Sequence, residues 1–514
     1  MSEQTLQRPA PPVSTPAAES SEPRRHRELL SPIRSHPWVF GAIAIVLVAF
    51  VAVLWARSRP GYDPYGWLVW GKLSIHGALD TNGAPSWKPL PFLFTVPYAL
   101  FGRYALWLWM VTSVAISLAG PVFAWRIAFR LVDADPARRY AGYVAGLFAA
   151  VFVLLMEDPI APANYIHYLL SAESDTMIVA LCLAAVDFHL AGRHRLAFWM
   201  WFLGSLGRPE VWPFCGLAGI WLWLKDPAFR KWLYAALAAL VFLWFIIPGL
   251  TSKSFFTAGN IAQNSPRAIR GNKLTGTIKR FHQLNANTIW VLALLTLAWA
   301  IWKRKRAILL IALGAVAWLV IEIALALKGF PAVPRYLFEP GAIVCVLAAV
   351  FIGRLILEVP PLLARGLRKL SPSRIGTPLA TRLGGWGAAI VVVLIAGSMF
   401  GAVHRQYKLE RTDLTHERAR TQLIGKLSGV VRTLGASRIL ACGQPNVPIE
   451  YQSIFAWYIN IKIGQLYVSQ TYLKKHPHPL VNIYPISGPG WKVFPSHVSA
   501  ASAARCRGLR LIYR

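Results

Sequence analysis

Charged side chains are scarce in this chain of 514 residues, and acidic side chains are the scarcest. Asp, Glu, Lys and Arg together make up 15% of the sequence, whereas hydrophobic residues make up 55%. A soluble domain of this size has no need for so many uninterrupted apolar runs. The composition therefore argues against an ordinary soluble enzyme and predicts a polytopic membrane protein.

Motifs for soluble cofactors are also missing. No Cys and His residues follow the spacing typical of a zinc site, and no Walker-type or glycine-rich phosphate loop is present. If the protein is an enzyme, the energy for its reaction is therefore not expected to come from ATP or from a soluble nucleotide. No cofactor is assigned from the sequence, and a divalent metal stays open although no motif indicates one.

Apolar runs divide most of the chain and predict an all-α polytopic membrane domain of about eleven transmembrane helices. The predicted helices lie near 38–56, 104–125, 141–156, 176–190, 196–206, 211–224, 232–250, 289–302, 307–327, 337–356 and 386–402. Residues 1–37, rich in Pro, Ser, Ala and charge, are expected to be a disordered tail. Residues 38–402 form the membrane domain, and residues 403–514 are predicted to form a small α/β domain.

Basic residues outnumber acidic ones by 54 to 22, which gives a formal net charge of +32. In a soluble protein this excess would suggest nucleic acid, but most of it lies in alternate short loops between apolar runs. Such loops stay in the cytoplasm. We therefore expect a multi-pass plasma-membrane protein with a cytoplasmic N-terminus, an extracytoplasmic C-terminal domain and no nucleic-acid partner.

The number of predicted transmembrane helices depends on two short apolar runs, 196–206 and 211–224. They are separated by Gly207-Arg208-Pro209-Glu210 and form either one broken helix or a pair of short helices. Only the pair keeps the basic clusters after residues 224 and 302 in the cytoplasm, so the orientation bias favours the pair.

The five cysteines fall into two groups. Cys182, Cys215 and Cys345 lie in apolar runs and are interpreted as small core residues. Cys442 and Cys506 lie in the polar C-terminal region and are predicted to form a disulfide if that region is outside the cytoplasm.

Several candidate site residues follow the ends of apolar runs. Asp63 comes just after the first predicted helix, in an aromatic loop that also contains Trp87-Lys88-Pro89-Leu90. Glu173 and Asp175 open the fourth predicted helix. Simpler interpretations exist. An Asp-Pro pair such as Asp63-Pro64 commonly starts a short helix, and acidic residues such as Glu173 and Asp175 interact favourably with the dipole at a helix N-terminus.

Basic candidates lie in the same set of loops. Arg335-Tyr336 precedes the tenth predicted helix, and the segment 251–288, which includes Arg270 and Lys279, contains no acidic residue. Arg208 lies at the helix break, where it pairs with Glu210 or contacts substrate. A carboxylate base would activate an acceptor hydroxyl, and Arg and Lys would hold a phosphate that gains charge as it leaves.

Three landmarks in order resemble the GT-C glycosyltransferases, in particular the branch of lipid A aminoarabinose transferases and protein O-mannosyltransferases. The first is Asp63 followed by Trp87-Lys88-Pro89-Leu90. The second runs from Ser171-Ala172-Glu173-Ser174-Asp175 to Gly207-Arg208-Pro209. The third is Pro334-Arg335-Tyr336-Leu337-Phe338-Glu339-Pro340. Together they cover about residues 38–356.

The resemblance implies an inverting transferase that takes a sugar from a polyprenyl phosphate outside the cytoplasm. It implies Asp63 as the general base and Arg335 as a phosphate contact. We further expect Lys88, Arg270 and Lys279 to help hold the phosphate. Glu173, Asp175, Arg208 and Tyr336 complete the predicted substrate site, and the acceptor would be a glycan, glycolipid or protein of a bacterial cell envelope.

Two other classes of protein fit the same composition. A transporter or lipid-linked-sugar flippase would carry its site at mid-membrane on discontinuous helices, for which Gly207–Glu210 is the candidate break. A non-catalytic envelope assembly protein would use its basic outer domain to bind an acidic polymer. Convergence of Asp63, Glu173 and Arg335 on one cavity would favour the transferase.

Overall fold

The computed structural model describes residues 37–83, 85–160, 163–263, 265, 267–370, 377–467 and 479–514. The predicted disordered tail therefore lies outside the described residues, apart from Pro37. The described part of the chain is mostly helical, with a small sheet region at the C-terminus.

The helices before residue 260 are α1 Pro37–Ala56, α2 Tyr62–Ile75, α3 Pro89–Ala99, α4 Ala105–Val132, α5 Tyr140–Leu154, α6 Tyr165–Leu170, α7 Ser174–Leu190, α8 His194–Gly207, α9 Trp212–Lys225, α10 Arg230–Val241, α11 Ile247–Thr251 and α12 Thr257–Gln263. The later helices are α13 Lys273–His282, α14 Asn287–Trp302, α15 Arg306–Leu327, α16 Phe338–Leu370, α17 Thr377–Ser398, α18 Phe400–Leu434, α19 Ala436–Cys442, α20 Gln452–Ile459 and α21 Ala500–Cys506. The strands are β1 Glu157–Asp158, β2 Ala163–Asn164, β3 Gln444–Asn446, β4 Leu480–Ile486, β5 Gly490–Ser496 and β6 Leu511–Tyr513.

Six helical segments of the described chain are long and apolar enough to cross a membrane. They are Pro37–Ala56, Gly102–Val132, Pro227–Thr251, Arg306–Leu327, Pro334–Leu363 and Gly385–Leu434. A seventh arises if α13 and α14, bent by 97°, count as one span. Only 17% of the apolar stretch of α1 is buried inside the protein, as expected for a helix whose sides face lipid.

The predicted count of about eleven spans is not confirmed. Nine predicted spans each lie on one helix, whereas 232–250 covers α10 and α11 and 386–402 runs from α17 into α18. Helices α5, α7, α8 and α9 are only 15, 17, 14 and 14 residues long. At about 1.5 Å per residue such helices fall short of a hydrocarbon core of about 30 Å. Sequence periodicity marks where an apolar helix lies, but it does not show whether the helix crosses the whole bilayer.

Helices α8 and α9 form an antiparallel hairpin rather than one broken helix. Trp201 and Phe214 stack near the connection with ring centroids 5.5 Å apart, and His194 and Trp221 meet at the other end at 4.4 Å. Pro209 begins the single turn that joins the two helices, because proline lacks the N–H that a continuous helix would need.

Several helix ends meet at one end of the bundle, called the site end below. The hydroxyl of Ser58, just after α1, donates to the carbonyl of Leu170 at 3.1 Å. The indole of Trp109 in α4 donates to the carbonyl of Ala172 at 3.2 Å. At the opposite end, Arg126 and Arg130 of α4 donate to the buried carboxylate of Asp187 in α7.

The C-terminal region contains a four-stranded sheet in the order β3-β4-β5-β6. Strands β3 and β4 are parallel, and the other two pairs are antiparallel. Buried Trp491 of β5 fixes the sheet to α18 by donating its indole N–H to the carbonyl of Leu423 at 2.8 Å. A disulfide joins Cys442 of α19 to Cys506 of α21.

This C-terminal region packs on the site end of the bundle. Arg420 of α18 donates to the carbonyls of Arg59 and Pro60, at 3.3 and 3.0 Å. The ammonium of Lys72 in α2 lies over the ring of Trp457 in α20, 5.4 Å from its centroid. The two regions therefore share the segment that leads into α2.

We expect the disulfide to be present in protein taken from native membranes without reduction. Mass spectrometry after alkylation of the unreduced, denatured chain should find three modified cysteines, because Cys182, Cys215 and Cys345 are free. A 64-residue separation closes a loop worth about 4 kcal/mol in the chain-entropy model. Cys442→Ser/Cys506→Ser should accordingly lower the melting temperature.

The same measurement bears on orientation, since disulfides persist only in oxidising compartments. Five alkylated cysteines in the unreduced native protein would place the C-terminal region, and the site end on which it packs, in the cytoplasm.

Candidate active site

Asp63 lies in the first turn of α2, directly after the segment that connects α1 to α2. Pro64 follows it, and proline suits the first turn because its missing N–H would have no helical partner there. The side chain of Asp63 is 23% exposed, so its carboxylate lies at the solvent-accessible surface of the site end, called the opening below. The N–H of Gly61 donates to the carbonyl of Ser171 at 2.9 Å, which brings the start of α2 against the start of α7.

Gly61 allows Glu173 to approach this turn. A Cβ added at Gly61 would overlap Oε1 of Glu173, so any other residue would push the carboxyl away. Glu173 itself is 7% exposed, and its Oε2 has no hydrogen-bond partner among the described residues. A buried carboxyl with a free oxygen is costly unless it is neutral or receives a ligand.

Asp175 lies at the centre of the cluster and is fully buried. Arg208, at the break between α8 and α9, donates to Oδ1 of Asp175. Arg335 Nε lies 3.6 Å from the same oxygen. Lys88 reaches the adjacent residue and donates from Nζ to Ser174 Oγ at 2.9 Å.

Arg335 connects Asp175 to Asp63. It lies in a short 3₁₀ turn, Pro334–Leu337, immediately before α16. Its Nη2 is 3.9 Å from Asp63 Oδ2, and its side chain is 17% exposed. Its guanidinium also lies 5.6 Å from the ring centroid of Tyr168 and 5.8 Å from that of Tyr336. Arg335 therefore has two aromatic neighbours and one side that faces the opening.

Arg208 holds the layer beneath these groups. It donates to the backbone carbonyl of Arg335 at 3.2 Å, its guanidinium lies 4.3 Å from the ring centroid of Tyr336, and its Nη1 is 3.6 Å from Glu339 Oε2. The ion-pair partners of Arg208 are thus Asp175 and Glu339 rather than its sequence neighbour Glu210. Its role is to position Arg335 from below.

Burial raises the pKa of the Glu173 carboxyl well above its usual range, and the negative charge of Asp63 raises it further, although Arg335 opposes the shift. The folded protein therefore keeps the Glu173 proton to a higher pH than an exposed glutamate would, and the protonated carboxyl can donate a hydrogen bond. With Glu173 protonated, the charge balance of the cluster is three carboxylates, Asp63, Asp175 and Glu339, against the three cations Lys88, Arg208 and Arg335.

An apolar cavity of about 530 Å³ begins beneath this layer at Glu339 and Pro340. It runs between α7, α8, α9, α15 and α16 as far as His189 and His194 near the opposite end of the bundle. Trp201, Phe214 and Trp318 line it, and exposed Leu217 and Leu310 border it. The cavity therefore extends along the second half of α7, from Cys182 to Leu190, and exposed apolar side chains form its lateral border.

The structure brings seven of the sequence-predicted residues into this one cluster. They are Asp63, Lys88, Glu173, Asp175, Arg208, Arg335 and Tyr336. Arg270 and Lys279 are exposed, and no hydrogen bond or ion pair joins either one to the cluster in the described part of the chain. Both lie in or beside α13, on its outward side.

Sequence reasoning missed two supporting residues. Arg280 donates from Nη1 to the carbonyls of Pro331 and Ala332, at 2.7 and 2.9 Å, and so fixes the loop that leads into Arg335. Tyr168 donates its hydroxyl to Asp158 Oδ2 at 2.6 Å, which holds its ring beside Arg335. The amphipathic pattern of α13 could have indicated an inward-facing basic residue, but not which one.

We expect Glu173→Gln to remove a pH dependence of stability. The folded protein keeps the proton of Glu173 to a higher pH than the unfolded chain does, so the wild-type free energy of unfolding should fall as pH rises through and above the ordinary glutamate range. The loss is limited to about 1.4 kcal/mol per pH unit for one proton. Melting temperatures in detergent between about pH 5 and pH 9 measure it.

Glu450→Gln, at an exposed position, is the control and should follow the wild-type profile. If Glu173→Gln also runs parallel to wild type across the range, the carboxyl of Glu173 is ionised in the folded protein and the charge balance given above is wrong.

No protein-family model and no curated protein matches this chain. The geometry combines an accessible carboxylate, a buried carboxyl with a free oxygen, three cations and an adjoining apolar cavity.

Proposed function

We propose that this chain is a multi-pass membrane glycosyltransferase that moves a sugar from a polyprenyl phosphate to a cell-envelope acceptor, with inversion. The observation that carries the proposal is the meeting of Asp63, Asp175 and Arg335 at one end of the bundle, directly above an apolar cavity. Such a site offers a base, a phosphate contact and a place for a lipid tail.

Asp63 is the general base of the proposed reaction. It is the carboxylate of the cluster that faces the opening, and no backbone N–H or hydroxyl among the described residues occupies it. The acceptor hydroxyl gives its proton to Asp63 while its oxygen attacks the anomeric carbon from the side opposite the phosphate. The bond from the anomeric carbon to the phosphate oxygen breaks, and its electron pair stays on the polyprenyl phosphate.

Arg335 receives the charge that develops on the leaving phosphate. Its guanidinium is held between Asp63 and Asp175 and has donors that are not fully used: Nε has no hydrogen-bond partner among the described residues. Lys88 donates to Ser174, the residue before Asp175, and is the second cation near the phosphate. A fork of N–H groups suits a phosphate better than a point charge does, so Arg335 is the main phosphate contact.

The apolar cavity accommodates the isoprenoid tail of the donor. Its lining of tryptophan, phenylalanine and leucine side chains matches a chain of isoprene units, and its lateral border of exposed leucines allows entry from the bilayer. The cavity ends at Glu339, which lies across Arg208 from Asp175. A phosphate on the end of such a tail would therefore arrive at Arg335.

The proposal also includes an orientation, with the site end outside the cytoplasm. Arg126 and Arg130 lie at the opposite end of the bundle, where positive loops favour the cytoplasmic side. The acceptor is then a glycan, glycolipid or protein of the envelope.

A transporter or lipid-linked-sugar flippase is the second candidate. The observation that favours it is a layer of buried ionisable residues below the site, in which Arg208, Glu210, Glu322 and Glu339 are all buried. Buried charges among membrane helices commonly mark a substrate or proton path. In that case Asp63 would not be needed for turnover.

We expect Asp63→Asn to abolish sugar transfer while leaving insertion and donor binding intact. The substitution keeps the shape of the side chain and removes the base, whose loss typically costs about 10²–10⁴-fold in rate. A radiolabelled polyprenyl-phosphate sugar assay on membranes containing the protein measures transfer.

Asp80→Asn is the matched control. Asp80 lies in the connection that follows α2, and its partners are Asn82 and Lys462, away from the cluster. Near-normal turnover by Asp63→Asn would contradict the transferase and favour the transporter.

We expect Arg335→Ala to weaken donor binding. Loss of one or two charge-assisted hydrogen bonds to the phosphate should raise the KM for the donor by about 10- to 100-fold. Arg335→Lys should restore only part of it, because lysine keeps the charge but not the fork. Arg270→Ala, at an exposed arginine outside the cluster, should leave the KM unchanged. If Arg335→Ala and Arg270→Ala raise the KM for the donor equally, Arg335 is not the main phosphate contact and the segment 251–288 also contributes to the phosphate site.

A further inference from the structure

A second group of ionisable residues lies where the loop before α7 meets α18. Three carboxylates of α18 share one face of the helix, because Glu410, Asp413 and Glu417 are spaced three and four residues apart. They face His167 of α6, the short helix that precedes Glu173 along the chain. This group is separate from the cluster around Asp63.

The spacing of the side chains in this group would admit a metal ion. His167 Nδ1 lies 2.8 Å from Asp413 Oδ2. One potential ligand atom from each of His167, Asp413 and Glu417 lies within 4.8 Å of the others. A zinc ion bound at about 2.0–2.2 Å holds its ligand atoms about 3–4 Å apart, so small side-chain adjustments would bring these three around one ion.

The charge of the group also favours a cation. Arg420 Nη1 pairs with Glu417 at 3.1 Å and compensates one of the three carboxylates. Asn164 Nδ2 donates to Glu410 Oε2 at 2.9 Å, but Glu410 Oε1 is buried and has no hydrogen-bond partner among the described residues. The three carboxylates, Arg420 and His167 together carry a net charge of −1 if His167 is protonated and −2 if it is neutral.

We propose that His167, Asp413 and Glu417 bind a divalent transition-metal ion, with Glu410 or a water molecule as the fourth ligand. A histidine nitrogen with carboxylate oxygens is a set that suits Zn²⁺, whereas Ca²⁺ and Mg²⁺ prefer oxygen ligands alone. The ion would fasten α6, and with it the segment that leads to Glu173, to the C-terminal region. This proposal rests on the cluster itself and does not depend on the transferase activity.

A plain ion pair between His167 and Asp413 is the competing interpretation. It would join α6 to α18 without any metal, and it predicts that the purified protein retains no zinc. The two interpretations are separated by metal content and by stability, neither of which requires an activity assay.

The experiment uses the full-length protein, purified in detergent with a tag that contains no histidine and stripped with EDTA. After incubation with Zn²⁺ and desalting, elemental analysis should find about one zinc per chain, and the melting temperature should rise relative to the stripped protein. His167→Gln and Asp413→Asn should weaken zinc binding by at least about tenfold. His416→Gln, at an exposed histidine on the same helix, should bind zinc as wild type does.

Two results would overturn the proposal. One is wild-type protein that retains no zinc and shows no thermal shift. The other is zinc retained equally by wild type, His167→Gln and Asp413→Asn, which would place the metal elsewhere. If Asp413→Asn does not fold, Glu417→Gln takes its place, and the wild-type measurement decides in either case.

Discussion

The buried ion pair between Asp175 and Arg208 is the contact on which the rest of the site depends. Both side chains are almost completely removed from solvent, at 0% and 3% exposure. Loss of one partner of such a pair typically costs about 3–5 kcal/mol, because the other charge stays buried alone. The pair joins the start of α7 to the break between α8 and α9, and through the carbonyl of Arg335 it also fixes the turn before α16. Three distant segments of the chain are thereby held at one point.

The site is an arrangement of paired charges above an apolar interior. Arg335 lies between an accessible carboxylate, Asp63, and a buried one, Asp175, so its own position is set before any substrate arrives. Electrostatic groups that are already oriented need no reorganisation when charge develops during a reaction. Tyr168 and Arg280 contribute by fixing the surroundings of Arg335 rather than by reaching the opening.

Much of this site could be predicted from the order of residues along the chain. Asp63, Glu173 and Arg335 each lie next to an apolar run, and helices that alternate in direction bring every second loop to the same end. The sequence did not predict which residues of a loop or short helix face the site and which face outward. Arg270 and Lys279 face outward while Arg280 faces inward, because α13 packs against the loop of Pro331 and not against the site. The pairing of His167 with Asp413 could not be predicted, because the two residues are 246 positions apart. The span count depended on helix length, which apolar runs do not define to within a turn.

The way the C-terminal region packs on the bundle has a consequence for how the protein is made. Helix α2, which begins with Tyr62 and Asp63, is synthesised long before α18 and α20, against which its surroundings pack. The carbonyls of Arg59 and Pro60 cannot accept their hydrogen bonds from Arg420 until α18 has been synthesised. The sheet and the disulfide of this region include β6 and Cys506, which are synthesised after all the membrane helices described above. A ribosome that stops early would therefore release a bundle with its helices in place and with the entrance to the site unfinished.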